Sequence, residues 1–155
     1  MRLLFCLGLM AASVPASASQ PEMRTHGPWS VVSISSLAGG GENDASVILA
    51  QGEEPDVMRA RWDEGGPVSV SMHVEKCSGE EDYDASYSVP VETWLHMSRR
   101  DVQKRLRTDM TAWLGQARRA CPAVSVNSFK LARLDEAAAD FHDRLRYYAS
   151  GATGR

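Results

Sequence analysis

Four histidines, twenty carboxylates and three cysteines are the side chains of this 155-residue chain that could move a proton, hold a metal or attack an electrophile. His26 stands in a polar stretch near the N-terminus. His73 falls on the polar side of an alternating segment, and His96 precedes a long helical pattern. His142 lies on the polar side of a second helical pattern and is expected to be solvated. His73 or His96 could form an acid–base pair with a carboxylate such as Asp84 or Glu92, provided the fold brings them together. None of the four sits in a recognisable catalytic setting. The chain has no G-x-S-x-G and no H-E-x-x-H, and no cysteine stands in a nucleophile signature. A Gly-Gly-Gly run at 39–41 lacks the Gly-Lys-Ser/Thr of a phosphate loop, and acidic Glu42 and Asp44 follow it. Glu80, Glu81, Asp82 and Asp84 offer oxygen ligands, but their spacing is not that of a calcium-binding loop. The expectation is therefore no catalytic residue, no metal and no cofactor. The acidic stretch from Cys77 to Asp84 reads as a solvated loop that a basic partner could meet.

The cysteines depend on compartment. The chain opens with Arg2, an apolar run from Leu3 to Ala12 and the small-x-small triplet Ala16-Ser17-Ala18. That is the layout of a cleaved secretory signal over residues 1–18, too short to span a bilayer. Its removal would leave Cys77 and Cys121, for which one pairing exists. In an exported chain this predicts a disulfide. The alternative, a pair of metal-binding or reactive thiols, has no C-x-x-C and no second ligand at metal spacing behind it. The Ala- and Arg-rich composition with such a signal suggests a bacterial periplasmic or secreted protein, with no stable membrane insertion after cleavage.

Charge is divided unevenly. Residues 19–97 carry fourteen acidic and four basic side chains, and residues 98–155 carry six acidic and twelve basic. Either the two halves attract each other on folding or one of them presents a charged surface to a partner. The formal net charge of −3 and the lack of aromatics interleaved with the basic residues argue against nucleic acid.

The element that must carry most of this charge is the segment from Met97 to Cys121. Ser98 can cap a helix with Asp101 returning to it, Met97 and Val102 can form a hydrophobic staple, and Pro122 should end the helix near Ala120. Val102, Leu106, Met110, Trp113, Ala117 and Cys121 recur at steps of three and four, the spacing of one helix face. Arg100, Lys104 and Arg107 line the other side as a basic strip.

Ahead of this helix the pattern is β. Residues 29–35, 45–51, 57–62 and 68–76 read as strands, with Val57 to Trp62 and Val68 to Lys76 joined as a hairpin through Gly65-Gly66-Pro67. Alternation from Tyr83 to Val91 suggests a fifth strand, with Pro90 marking an edge or an end. Residues 19–28 show no period and read as a flexible arm. Residues 123–131 are ambiguous. From Leu134, a second helix continues to a stop at Gly151, leaving 151–155 as a frayed tail. Strands first and helices afterwards predict an α+β fold: an antiparallel meander of four to five strands, then a long amphipathic helix and a C-terminal helix packed on the sheet, forming a single domain over 29–150. The 43% hydrophobic content suffices for such a core.

These features point to a small exported binding or accessory protein without catalytic activity, acting on another cell-envelope protein as an inhibitor, immunity factor or assembly helper would. The surfaces that could carry this are the strip Arg100, Lys104, Arg107 and the acidic residues Glu80, Glu81, Asp82 and Asp84. The competing expectation is a small-ligand binder or small hydrolase with a cleft between the sheet and the long helix, lined by Trp62, Trp94 or Trp113.

Overall fold

The computed structural model describes residues 21–37, 43–121 and 124–153. The segment expected to be a signal peptide, the Gly-Gly-Gly run and Pro122 lie outside the described residues.

Six strands form one antiparallel sheet in sequence order: β1 (Glu22–His26), β2 (Trp29–Leu37), β3 (Asn43–Glu53), β4 (Asp56–Asp63), β5 (Val68–Ser78) and β6 (Glu81–Val89). Alternation decides which side chains go inward. Val31, Val47, Leu49, Met58, Ala60, Trp62, Val68, Val70, Met72 and Val74 are buried on one face. Among the described residues, no helix packs over the opposite face. The register there sets Met23, Val32, Ile48, Arg61, Ser69 and Ser88 in one row across all six strands.

The sheet has six strands rather than four to five. The additional one is β1, which occupies part of the stretch expected to be a flexible arm. Two residues, Gly27 and Pro28, turn the chain so that His26 pairs with Trp29. Gly27 has φ +58°, the left-handed region that favours glycine. The helix-facing residues of β1 are Glu22, Arg24 and His26, so no apolar alternation betrays the strand. Polar contacts replace apolar packing: His26 is 2.8 Å from Asp140, and the Glu22 carbonyl accepts from Arg144 at 2.7 Å.

Among the described residues four helices follow: α1 (Val91–His96), α2 (Arg99–Ala120), α3 (Val124–Asn127) and α4 (Leu134–Thr153). α2 is the expected long helix. Ser98 caps it by accepting from the Asp101 N–H at 3.1 Å. Its buried residues are Val102, Leu106, Met110, Leu114 and Ala117. Leu114 thus takes the core position expected for Trp113, which is half-buried and leans on the Tyr87 ring with centroids 5.7 Å apart. α2 packs over β5 and β6, and α4 over β1, β2 and β3, side by side with α2. α3 and Phe129, which is buried, fill the ambiguous stretch without a strand. Helix α4 runs past Gly151, so no stop occurs there.

Cys77, at the end of β5, is bonded to Cys121, the C-cap residue of α2, with Cα atoms 4.3 Å apart. The bridge is compatible with an oxidising compartment. Among the described residues no helix is long and apolar enough to cross a membrane.

Candidate functional site

The basic face of α2 divides into paired and unpaired side chains. Arg99 reaches Asp143 on α4 at 2.9 Å, and Arg107 reaches Asp135 at 2.9 Å. Arg105 lies over the Tyr87 and Trp94 rings, at 5.0 and 5.5 Å from their centroids. These three fasten α2 to its neighbours. Arg107, expected on the free strip, is therefore spent on α4, because α4 runs alongside and sets Asp135 within reach. Arg100 and Lys104, one helical turn apart, are exposed and have no ion-pair partner among the described residues. Arg118 is also exposed, near the C-terminal end of the helix.

The acidic residues expected in a loop are arranged differently. Ser78 pairs with Glu81 across a two-residue turn at Gly79 and Glu80, so Glu81, Asp82 and Asp84 belong to β6. A loop is unnecessary because a bulge between Val74 and Ser78 takes up the extra residues, with Lys76 at φ 51°. The Lys76 N–H donates to Asp82 at 2.9 Å. Asp84 stands opposite His73 in the register and is hydrogen-bonded to its Nδ1. His73 Nε2 is 3.9 Å from Asp82. The pairing of His73 with Asp84 is thus realised. The hydrogen bond to Asp84 holds the His73 pKa above its ordinary value, against the opposing effect of burial. Both ring nitrogens face carboxylates, so the imidazole, when protonated, is a counter-charge to Asp84 and Asp82. His73, Asp82 and Asp84 each offer a ligand atom within 4.8 Å of the others, and among the described residues they are a group that could hold a cation. Glu80 and Glu81 remain exposed at the turn.

The charge asymmetry is only partly neutralised internally. Arg144 approaches Glu22 at 3.8 Å and joins a basic residue of the helical half to an acidic one of the sheet. Arg99–Asp143 and Arg107–Asp135 instead pair charges within the helical half.

The other histidines correct two expectations. His142 is not solvated: it is fully buried, and its Nε2 meets the Trp94 carbonyl at 3.1 Å. Burial pushes its pKa down. His26 is held against Asp140 instead of lying in an arm. Asp140 also takes Arg144 at 2.9 Å; burial pushes its pKa up, but the hydrogen bonds from His26 and Arg144 together with the charges of Arg144 and Arg24 bring it below the usual value. His96 turns back on its own helix and meets the Glu92 carbonyl at 2.6 Å.

Apolar core fills the space between the sheet and α2, where a cleft was expected. A cavity of about 560 Å³ opens elsewhere, where the β4–β5 turn meets the start of α1 and the end of α4. Trp62 lines it together with Pro67, Pro90 and Val91, and Glu64 and Glu92 border it. Trp94 is core, packed edge-on against Phe141. A second cavity, of about 360 Å³, lies between the β1–β2 edge and α4. Sequence reasoning missed it because one wall is β1, which has no apolar pattern to reveal it.

No family model matches this chain, and no curated protein or solved structure is similar enough to it to carry an argument.

Proposed function

We propose that this is an exported, non-enzymatic binding or accessory protein that docks an acidic surface of another cell-envelope protein through the solvent face of α2. The observation that carries the reading is the split among the α2 cations. Arg99, Arg105 and Arg107 are engaged within the chain, whereas Arg100 and Lys104 project from a capped, well-packed helix with no ion-pair partner among the described residues. A rigid helix with unspent charge is suited to electrostatic recognition. The acidic turn at Glu80 and Glu81 is the second candidate surface, suited to a basic partner.

The test is a cross-linked pull-down of the tagged mature protein from its own cell envelope. One dominant partner should be captured, and R100E/K104E should lose it with an unchanged melting temperature. Undiminished capture by the variant would refute a role for α2. A second reading, small-ligand binding, draws on the cavity lined by Trp62. A ligand entering there should change tryptophan emission in the wild type and leave a W62F variant unchanged.

A further inference from the structure

The cavity between the β1–β2 edge and α4 contains an arginine whose hydrogen bonding is incomplete. Arg144 is nine-tenths buried. Its Nε donates to Asp140 at 2.9 Å, and its Nη1 donates to the Glu22 carbonyl at 2.7 Å and to Ser33 Oγ at 2.9 Å. Among the described residues, Nη2 has no hydrogen-bond partner. A guanidinium offers five N–H groups in a fixed plane, so both donors on one nitrogen are unspent in a place shielded from water. A buried donor left in this state calls for an acceptor.

The nearest carboxylate stops short. Glu22 Oε1 is 3.8 Å from Nη2 of Arg144 and 3.9 Å from Nη2 of Arg24, between two guanidinium groups and in hydrogen-bond range of neither. Glu22 is tethered through β1, whose backbone carbonyl is already fixed to Nη1, and its side chain is 64% exposed. The other acids nearby are occupied: Asp140 by His26 and Arg144, and Asp143 by Arg99 through both oxygens. At the rim, Tyr147 is 74% exposed and sets its ring edge-on to Tyr148, with centroids 5.0 Å apart. A large aromatic left in water beside an unsatisfied buried arginine suits a ligand with an anionic end and a flat body.

We propose that this pocket binds a small carboxylate carried on a flat aromatic body. The ligand's carboxylate takes the position between Arg24 and Nη2 of Arg144 that Glu22 only approaches, and its body lies against Tyr147 and Tyr148. Glu22 acts as a displaceable cover, competing for the two arginines. The roughly 360 Å³ of the pocket is of the size that small organic ligands occupy. The site is independent of the α2 surface and holds whether or not α2 docks a partner.

The test uses benzoate as probe, followed by amide chemical shifts of the mature protein and by calorimetry. Saturable binding in the millimolar range or tighter is expected, with shifts concentrated at Glu22, Tyr147 and Tyr148. Glu22→Gln removes the competing charge and should tighten binding by about threefold or more, and Tyr147→Ala should weaken it by about tenfold. Both positions are exposed, so neither change threatens the fold. Arg144→Lys, checked by circular dichroism, should abolish binding by losing the fork. The proposal fails if benzoate does not saturate wild type or Glu22→Gln, if the shifts map elsewhere, if Tyr147→Ala binds as wild type does, or if benzyl alcohol binds as well as benzoate.

Discussion

Reducing the Cys77–Cys121 bridge should lower stability without changing the folded structure. The two cysteines are 44 residues apart in sequence, and the loop they close contains β6, α1 and α2. For a loop of that length, the chain-entropy relation gives about 4 kcal/mol at 25 °C, all of it through the unfolded chain, which becomes freer once the bond is cut. The native state should survive because α2 is held by Val102, Leu106, Met110, Leu114 and Ala117. Both sulfurs are already buried, so they remain packed after reduction. With the urea dependence typical of a domain this size, the loss should move the unfolding midpoint down by about 2 M. The melting temperature should fall by about 10–20 °C. The assay is equilibrium urea unfolding followed by circular dichroism, oxidised against fully reduced, with free thiols counted in each. The dependence on urea should steepen on reduction, because the unfolded chain becomes more expanded. A loss below about 1 kcal/mol would refute the loop-entropy reasoning. Loss of helical signal on reduction alone, without urea, would refute the claim that packing holds α2.

His142 gives a pH dependence whose sign follows from its depressed pKa. Its contribution is complete above the unfolded value near 6.5 and is lost as pH falls below it. His73 acts in the opposite sense, since its raised pKa gives stability below 6.5 that disappears as pH rises through the folded value. Unfolding free energies from pH 7.5 to 5 should therefore fall less steeply in a His142→Leu variant than in wild type, and parallel profiles would refute the assignment. Gly52→Ala should destabilise by about 2 kcal/mol or more, measured by urea unfolding. Gly52 has φ +91°, and an added Cβ would stand 2.3 Å from the Asp56 carbonyl oxygen. Leu114→Ala should cost about 2–5 kcal/mol by thermal melting, because Leu114 is 1% exposed. Trp113→Ala should cost less than Leu114→Ala despite the larger side chain removed, since Trp113 is half-buried at the edge of the core.

Legibility in the sequence followed the chemistry of burial. β2 to β6 were readable because one of their faces packs on apolar side chains, which enforces a period of two. β1 packs with Glu22, Arg24 and His26, so its period is real but invisible to hydrophobicity. The α2 stripe went wrong at one position for a related reason. Trp113 and Leu114 are adjacent apolar residues, and a step of three or four from Met110 reaches either one. The choice is made by Tyr87, whose ring receives Trp113 and leaves the core position to Leu114. α4 misled more seriously. It touches α1, α2 and three strands, so its buried face is far wider than a single stripe. His142 falls inside that face, although its polarity had placed it outside, and so does Arg144.

The candidate sites divide along the same line. Residue type and spacing identified Arg100, Lys104 and Arg107 as one strip, but a helix wheel knows nothing of what lies beside the helix. Arg107 and Arg100 differ by seven residues, two turns of one face, and are separated only by the position of Asp135 on α4. What makes a cation available is not its exposure in the sequence pattern but whether the fold leaves it a carboxylate. Among the described residues Arg100 and Lys104 are left without a carboxylate, Arg107 is not, and Arg144 is the exception that matters most. It is buried and bonded through two of its nitrogens, yet keeps a third unsatisfied beside an exposed tyrosine. A sequence can show where charge is abundant, but an unsatisfied N–H exists only once every neighbour has been placed.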